Sequence, residues 1–283
     1  MINGTKIANQ ISARLSLRKP QEESLTILCD VLEQLELSKE PDMVHWLKVL
    51  KAGHKTIKDF EREFPSLCFA IATGVGKTRL MGAMIAWLFL TGRSRHFFVL
   101  APNLTIYEKL KQDFTLGSQK YVFQGIPELA QTPPIIVTGD DYGDGRGVRL
   151  DYAVPASMTP DMFGADTAPH INIFNVSKIN ALGETKKGAA KSKTAKIRRL
   201  QEYVGDSYFN YLAELPDLVV LMDEAHRYYA SAGATAIDDL KPILGIELTA
   251  TPKTTGANPR EFKNIIYHYP LAKALADGYV KMP

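Results

Sequence analysis

The sequence predicts a doubly wound α/β fold on a mainly parallel sheet, and three observations carry that prediction. The short apolar runs within "SLCFAI", "HFFVLA", "DLVVLMD" and "LGIELT" read as strands buried on both faces. Each run ends in a small or polar motif, namely "ATGVGKT", "APN", "DEAH" and "TATP". Segments of helical periodicity separate the runs, the alternation that lays helices over a parallel sheet.

The elements follow in order. "MINGTKIANQISARL" lacks the apolar core of a signal segment. "PQEESLTILCDVLEQLEL" predicts an amphipathic helix, because Pro20 suits the first helical position and Leu25, Leu28, Leu32 and Leu35 recur at helical spacing. A polar, lysine-rich stretch over 38–62 is helical around "MVHWLKVL". The first strand then runs straight into the glycine loop, and a strongly apolar helix follows. A second strand at about His96 to Ala101 breaks at Pro102-Asn103 before helical periodicity through Ile106 and Leu110. "DLVVLMDEAHRYY" repeats the order of strand, break and helix, and "LGIELTATP" gives it in shorter form. Residues 138–170, rich in Gly, Asp and Pro, read as hairpins and loops inserted between strands. Residues 184–199 are a basic low-complexity run leading into a helix, "IRRLQEYVGDSYFNYL".

Composition narrows the function classes. With 283 residues, 45% of them hydrophobic and 23% charged, the chain is an ordinary globular sequence, which excludes wholesale disorder. A net charge of +3 does not by itself argue for nucleic acid. Cys29 and Cys68 lie in apolar surroundings without C-x-x-C spacing, so core cysteines in a reducing, cytoplasmic compartment are expected rather than zinc or a disulfide. His45, His54, His96, His170 and His268 form no metal spacing. "GDDYGDG" puts Tyr142 where a calcium loop needs an oxygen ligand, so a turn is expected there. The longest apolar run, "MGAMIAWLFLTG", is too short to span a bilayer, and no membrane partner is expected.

The chemistry sits at the strand ends. In Thr73-Gly74-Val75-Gly76-Lys77-Thr78 the glycines let the backbone curl its N–H groups toward phosphate oxygens, and the following helix offers its positive end to the same anion. Lys77 would reach the outer phosphates of a bound nucleotide and the Thr78 hydroxyl would hold Mg²⁺. Ile71 stands where the general G-x-x-x-x-G-K-[ST] pattern has its first glycine, so a plain glycine turn is the competing reading. An apolar strand delivers Asp223 and Glu224 at its carboxyl end, where open α/β sheets bind ligands. There Asp223 can bind Mg²⁺ through its water shell and Glu224 can deprotonate the attacking water. A solvated helix start is the alternative for these acids.

"ATGVGKT", "LMDEAH" and "LTATP", in that order, resemble motifs I, II and III of superfamily 2 DEAD/DEAH-box helicases and translocases, which often omit the leading glycine. Within that superfamily the chain looks most like the motor part of the restriction subunit of type III restriction enzymes, through "FEREFPSLCFAIATGVGKTRLMGA", "FFVLAPNLTIYEKL", "DEAHRYY" and "YPLAKALADGYVKMP". The resemblance implies one three-layer RecA-like P-loop NTPase domain over 1–283. Its helical part, 1–62, would carry the adenine-reading element, and 138–170 and 184–199 would be insertions. It implies that Thr73 to Thr78 and Arg79 cradle the triphosphate, that Asp223 and Glu224 serve metal and water, and that His226, Thr249 and Thr251 couple nucleotide state to movement. Gln21, in "SLRKPQEESL", looks like the adenine-reading glutamine, with an exposed first-turn residue as the alternative.

Motors of this kind track a nucleic-acid backbone from strand tips. Asn103, Thr105 and Lys109, and Asn175, Ser177 and Lys178, are the residue types that suit phosphate contacts on DNA, although either set could instead cap a helix. The basic run from Lys186 to Arg199 lacks interleaved aromatics, so it reads as a solvated loop before a phosphate contact. The resemblance further implies a second RecA-like domain supplying an arginine, a methyltransferase or specificity subunit as partner, and weak ATP hydrolysis by these residues alone. The small net charge keeps open a different class, a nucleotide-dependent switch acting on protein partners.

Overall fold

The computed structural model describes residues 3–144, 168–175, 208–229, 231–254 and 259–280. Among these, seven strands form one sheet in the order β3-β4-β2-β5-β6-β1-β7, and every neighbouring pair is parallel. The strands are β1 (Ser66–Ile71), β2 (His96–Ala101), β3 (Ile135–Thr138), β4 (His170–Asn175), β5 (Leu218–Asp223), β6 (Leu244–Thr249) and β7 (Ile265–Tyr269). The five inner strands are buried along their whole length, while β3 and β7 at the edges are partly exposed. Helices on both faces explain why the inner strands read as unbroken apolar runs.

The pleat divides each strand between two cores. Leu67, Phe69 and Ile71 of β1 and Phe97 and Val99 of β2 face a core with helices α1 (Gly4–Arg14), α2 (Lys19–Gln34), α4 (Lys77–Leu90) and α5 (Leu104–Phe114). Cys68, Phe98, Leu100, Val220 and Met222 face the opposite core, with Tyr208 and Leu212 of helix α7 (Tyr208–Glu214) and Ile237 of α8 (Ser231–Asp238). Both cysteines are free and buried, as expected. Helix α4 is buried from Leu80 to Leu88, the signature of a helix that is apolar all round. The indole of Trp87 donates to Gly4 O at 2.9 Å and ties α4 to α1.

Several elements differ from expectation. Helix α1 follows from the sequence "GTKIANQISAR", with Asn3 as its N-cap accepting from Lys6 N at 2.9 Å. Helix α3 (Met43–Gly53) lies as expected around "MVHWLKVL". Strands β3, β4 and β7 add to the four apolar runs; the edge strands hide because they are short or half-exposed. Strands β3 and β4 are parallel neighbours, Ile135 pairing with His170. Of the segment expected to hold inserted hairpins and loops, 145–167 lie outside the described residues, as does the basic run 184–199. Helix α6 (Pro127–Gln131) precedes β3, and α9 (Leu271–Ala276) follows β7. After "DEAH" there is a 3₁₀ turn over Ala225–Tyr228 where an α-helix was expected. The reason is local: Glu224 adopts φ 50°, ψ 53°, a left-handed conformation that stops a helix from starting on the acids. Among the described residues no helix is long and apolar enough to cross a membrane.

Candidate functional site

The sheet order brings the predicted motifs together. Strand β6 lies between β1 and β5, so the loop after β1, the acids after β5 and Thr249 at the tip of β6 share one carboxyl rim. The loop turns on two glycines with positive φ, Gly74 at 85° and Gly76 at 105°. The conformation at Gly76 demands glycine, and a Cβ there would stand 2.6 Å from Gln21 Nε2, so that amide would have to shift. Val75 is fully buried and anchors the loop, whereas Thr73 and Gly74 are exposed. No side chain caps α4, whose N-cap is Gly76, which leaves its first-turn amides for an anion.

Across the rim, Lys77 Nζ lies 3.0 Å from Glu224 Oε1. Asp223, beside it, is buried, and its Oδ1 accepts the Glu224 amide at 3.0 Å. Burial pushes the Asp223 carboxyl above its ordinary range, opposed by the positive charge of Lys77 and reinforced by the negative charge of Glu224. A buried carboxylate held in this way gains from a divalent cation beside it. Asp223 and the Thr78 hydroxyl are hard oxygen donors, the donor set Mg²⁺ takes when substrate phosphates complete its shell. Among the described residues no cluster of three or more His, Cys, Asp or Glu could hold a metal unaided. The residues present therefore fit a metal that arrives with phosphates.

His226 sits between the acids and β6. Its Nδ1 is 3.0 Å from Thr249 Oγ1, 3.2 Å from Thr251 Oγ1 and 3.5 Å from Glu224 Oε2. Thr249 Oγ1 also accepts the Thr251 amide at 3.1 Å, which closes the turn of "TATP". Burial lowers the His226 pKa, with the Glu224 charge opposing. The three residues expected to couple nucleotide state to movement thus form one hydrogen-bonded group against the glutamate.

Other expected site residues are placed differently. Gln21 lies under the loop at 2% exposure, with Oε1 accepting from Arg18 N at 2.7 Å and Nε2 donating to Gly76 O at 2.8 Å. Its amide braces the loop, and an exposed first-turn glutamine is ruled out. The Arg79 guanidinium donates to Leu15 O at 2.9 Å, holding the end of α1 instead of facing the cradle. Asn103 caps α5 by accepting from Ile106 N at 3.0 Å, and Thr105 is exposed in the first turn of that helix. Lys109 is one turn further on and meets the loop's helix, donating to Thr78 Oγ1 at 3.1 Å. Asn175 ends β4 and is buried; Ser177 and Lys178 lie outside the described residues.

Two supports were not foreseen. Arg18 Nη1 donates to Gly74 O at 2.9 Å while its guanidinium lies over the Tyr279 ring at 5.4 Å, so the segment after α9 closes on the loop. Glu247, fully buried on β6, accepts from Arg62 Nε at 3.0 Å, Ser66 Oγ at 2.9 Å and Tyr229 OH at 2.7 Å. The signal for this network was a lone glutamate within the apolar run "LGIELT". A cavity of about 470 Å³ lined by Asp59, Glu61, Arg62, Glu63, Asp238, Arg260 and Lys263 includes none of the motif residues.

The family match is consistent with this layout. Residues 14–254 match the family model described as type III restriction enzyme, res subunit. No curated protein matches the chain. Among solved structures, the chain is similar to the Sulfolobus solfataricus SWI2/SNF2 ATPase core in complex with dsDNA, at 12% identity and a TM-score of 0.36, covering 77% of this chain. The chain spans 33% of that neighbour's length.

Proposed function

The chain belongs to the family of type III restriction enzyme res subunits, and from that premise we propose that it is the ATP-binding half of a superfamily 2 DNA translocase. In this reading Thr73 to Thr78 wrap the triphosphate, with backbone amides and the Lys77 ammonium neutralising its outer charge. Thr78 and Asp223 hold Mg²⁺, which when bound neutralises charge developing on the phosphate oxygens. Glu224 exchanges its ion pair with Lys77 for a water molecule, which it orients and deprotonates. His226 reports the position of Glu224 to Thr249 and Thr251. Gln21 senses the nucleotide through Gly76, and the Nε2 hydrogen and Oε1 lone pair not used in its two bonds are what it has left for adenine.

The observation that carries the reading is the 3.0 Å pairing of Lys77 with Glu224. It brings the ammonium of the cradle to the carboxylate that would activate water. DNA is the proposed track, met through backbone contacts that involve Thr105 and, beyond the described residues, Ser177 and Lys178. A second RecA-like domain would complete the hydrolytic site, and a methyltransferase or specificity subunit is the proposed partner. The test is the ATPase rate of the complete protein with and without duplex DNA at low salt. Stimulation by DNA supports the translocase. An unchanged rate contradicts it and favours a switch acting on protein partners.

A further inference from the structure

Lys109 carries an inference that rests on the nucleotide reading above and goes beyond it. Its ammonium donates to Thr78 Oγ1 at 3.1 Å and lies 3.7 Å from Asp113 Oδ2, one turn along α5. The hydroxyl it occupies is the one assigned to Mg²⁺. A dication on that oxygen would repel an ammonium hydrogen-bonded to the same atom, so the two do not share it favourably. The Asp113 carboxylate offers the lysine a second seat. Its Oδ1 is buried and makes no hydrogen bond among the described residues, so the group retains acceptor capacity. The lysine stem is flexible, and its side chain is 51% exposed, so movement between the two seats disturbs no packing.

We propose that Lys109 and Mg²⁺ compete for the Thr78 hydroxyl, the ammonium withdrawing toward Asp113 when metal and nucleotide bind and returning when they leave. Lys109 is then a positioning residue that stands in for the cation and sets how much Mg²⁺ the site needs. The Asp223 carboxyl, raised first by burial, feels the opposing charges of both Lys77 and Lys109, so the substitute cation acts on the metal carboxylate as well as on the hydroxyl.

The experiment is a Mg²⁺ titration of fluorescent ATP-analogue binding to the 283-residue chain, begun in EDTA, for the unchanged protein, Lys109→Met and Asp113→Asn. Lys109→Met is expected to lower the Mg²⁺ concentration of half-effect by about tenfold and to weaken metal-free binding of the analogue. Asp113→Asn, which removes the second seat, is expected to raise the half-effect concentration. A Lys109→Met titration with an unmoved midpoint overturns the proposal. Equal weakening with and without Mg²⁺ also overturns it, because Lys109 is then a phosphate ligand. If the unchanged protein binds no analogue at all, the nucleotide reading fails together with the inference; if it binds and only the midpoint stays fixed, the inference fails alone.

Discussion

Glu224 Oε2 lies 3.5 Å from His226 Nδ1 while its other oxygen pairs with Lys77 at 3.0 Å. One carboxylate therefore joins the phosphate loop to the group that includes Thr249 and Thr251. Its left-handed backbone, φ 50°, is what turns it back toward the loop. The consequences are open to direct measurement.

Replacing Glu224 with Gln keeps the side chain's shape and removes its basicity. Nucleotide binding should persist while ATP turnover by the complete protein falls by about 10² to 10⁴. Single-turnover hydrolysis and equilibrium binding, measured on the same preparation, separate the two quantities. Turnover at the unchanged rate removes Glu224 from the reaction.

Gly76→Ala should damage the loop twice. The residue sits at φ 105°, and its new methyl would meet Gln21 Nε2 at 2.6 Å. Strain of about 1–3 kcal/mol is expected, with loss of nucleotide affinity. Denaturant unfolding and binding should move together. A variant as stable as the parent would show that the loop's conformation is not the one described.

The buried network behind the rim should be a matter of stability. Arg62 and Glu247 have side chains 1% and 0% exposed and are 3.0 Å apart. Glu247→Leu leaves the guanidinium unpaired in the core and should cost about 3–5 kcal/mol, whereas adding Arg62→Met should recover much of that loss. Urea unfolding of the single and double variants tests it, and equal stability of the two would contradict the pairing.

His226 gives a pH signature of definite sign. Burial lowers its folded-state pKa below the ordinary 6.5. Between the folded value and 6.5 the unfolded chain binds more protons, so this residue's contribution is present above 6.5 and lost as pH falls through the folded value. The melting temperature of the parent should therefore drop more steeply below about pH 6.5 than that of His226→Gln. Asp223, whose carboxyl is raised, contributes with the opposite sign but is common to both proteins. Parallel pH profiles would show that His226 is not buried neutral.

The layout of the candidate site was largely legible because its signals are local. A glycine loop between an apolar strand and an apolar helix, and two acids ending another strand, are patterns that chain geometry imposes within a few residues. Four of the five inner strands were legible for the same reason, being buried on both faces; β4 was not among the apolar runs, because the buried polar His170, Asn172 and Asn175 interrupt it. Edge strands β3 and β7 were not: β3 is only four residues long, and in β7 the exposed His268 interrupts the apolar run. Nor were contacts between distant segments: Lys109 on Thr78, Arg79 on Leu15 and Gln21 on Gly76 depend on helix packing that no local pattern encodes. The 3₁₀ turn after Glu224 was missed because a positive φ at glutamate has no sequence signal of its own.

The most direct test is equilibrium binding of ATP with Mg²⁺ to the chain and to Lys77→Ala, followed by calorimetry. The account predicts saturable binding by the parent and affinity weakened at least about tenfold in the variant, since a charge-assisted contact to the phosphates is gone. Equal affinity in the two proteins would contradict it.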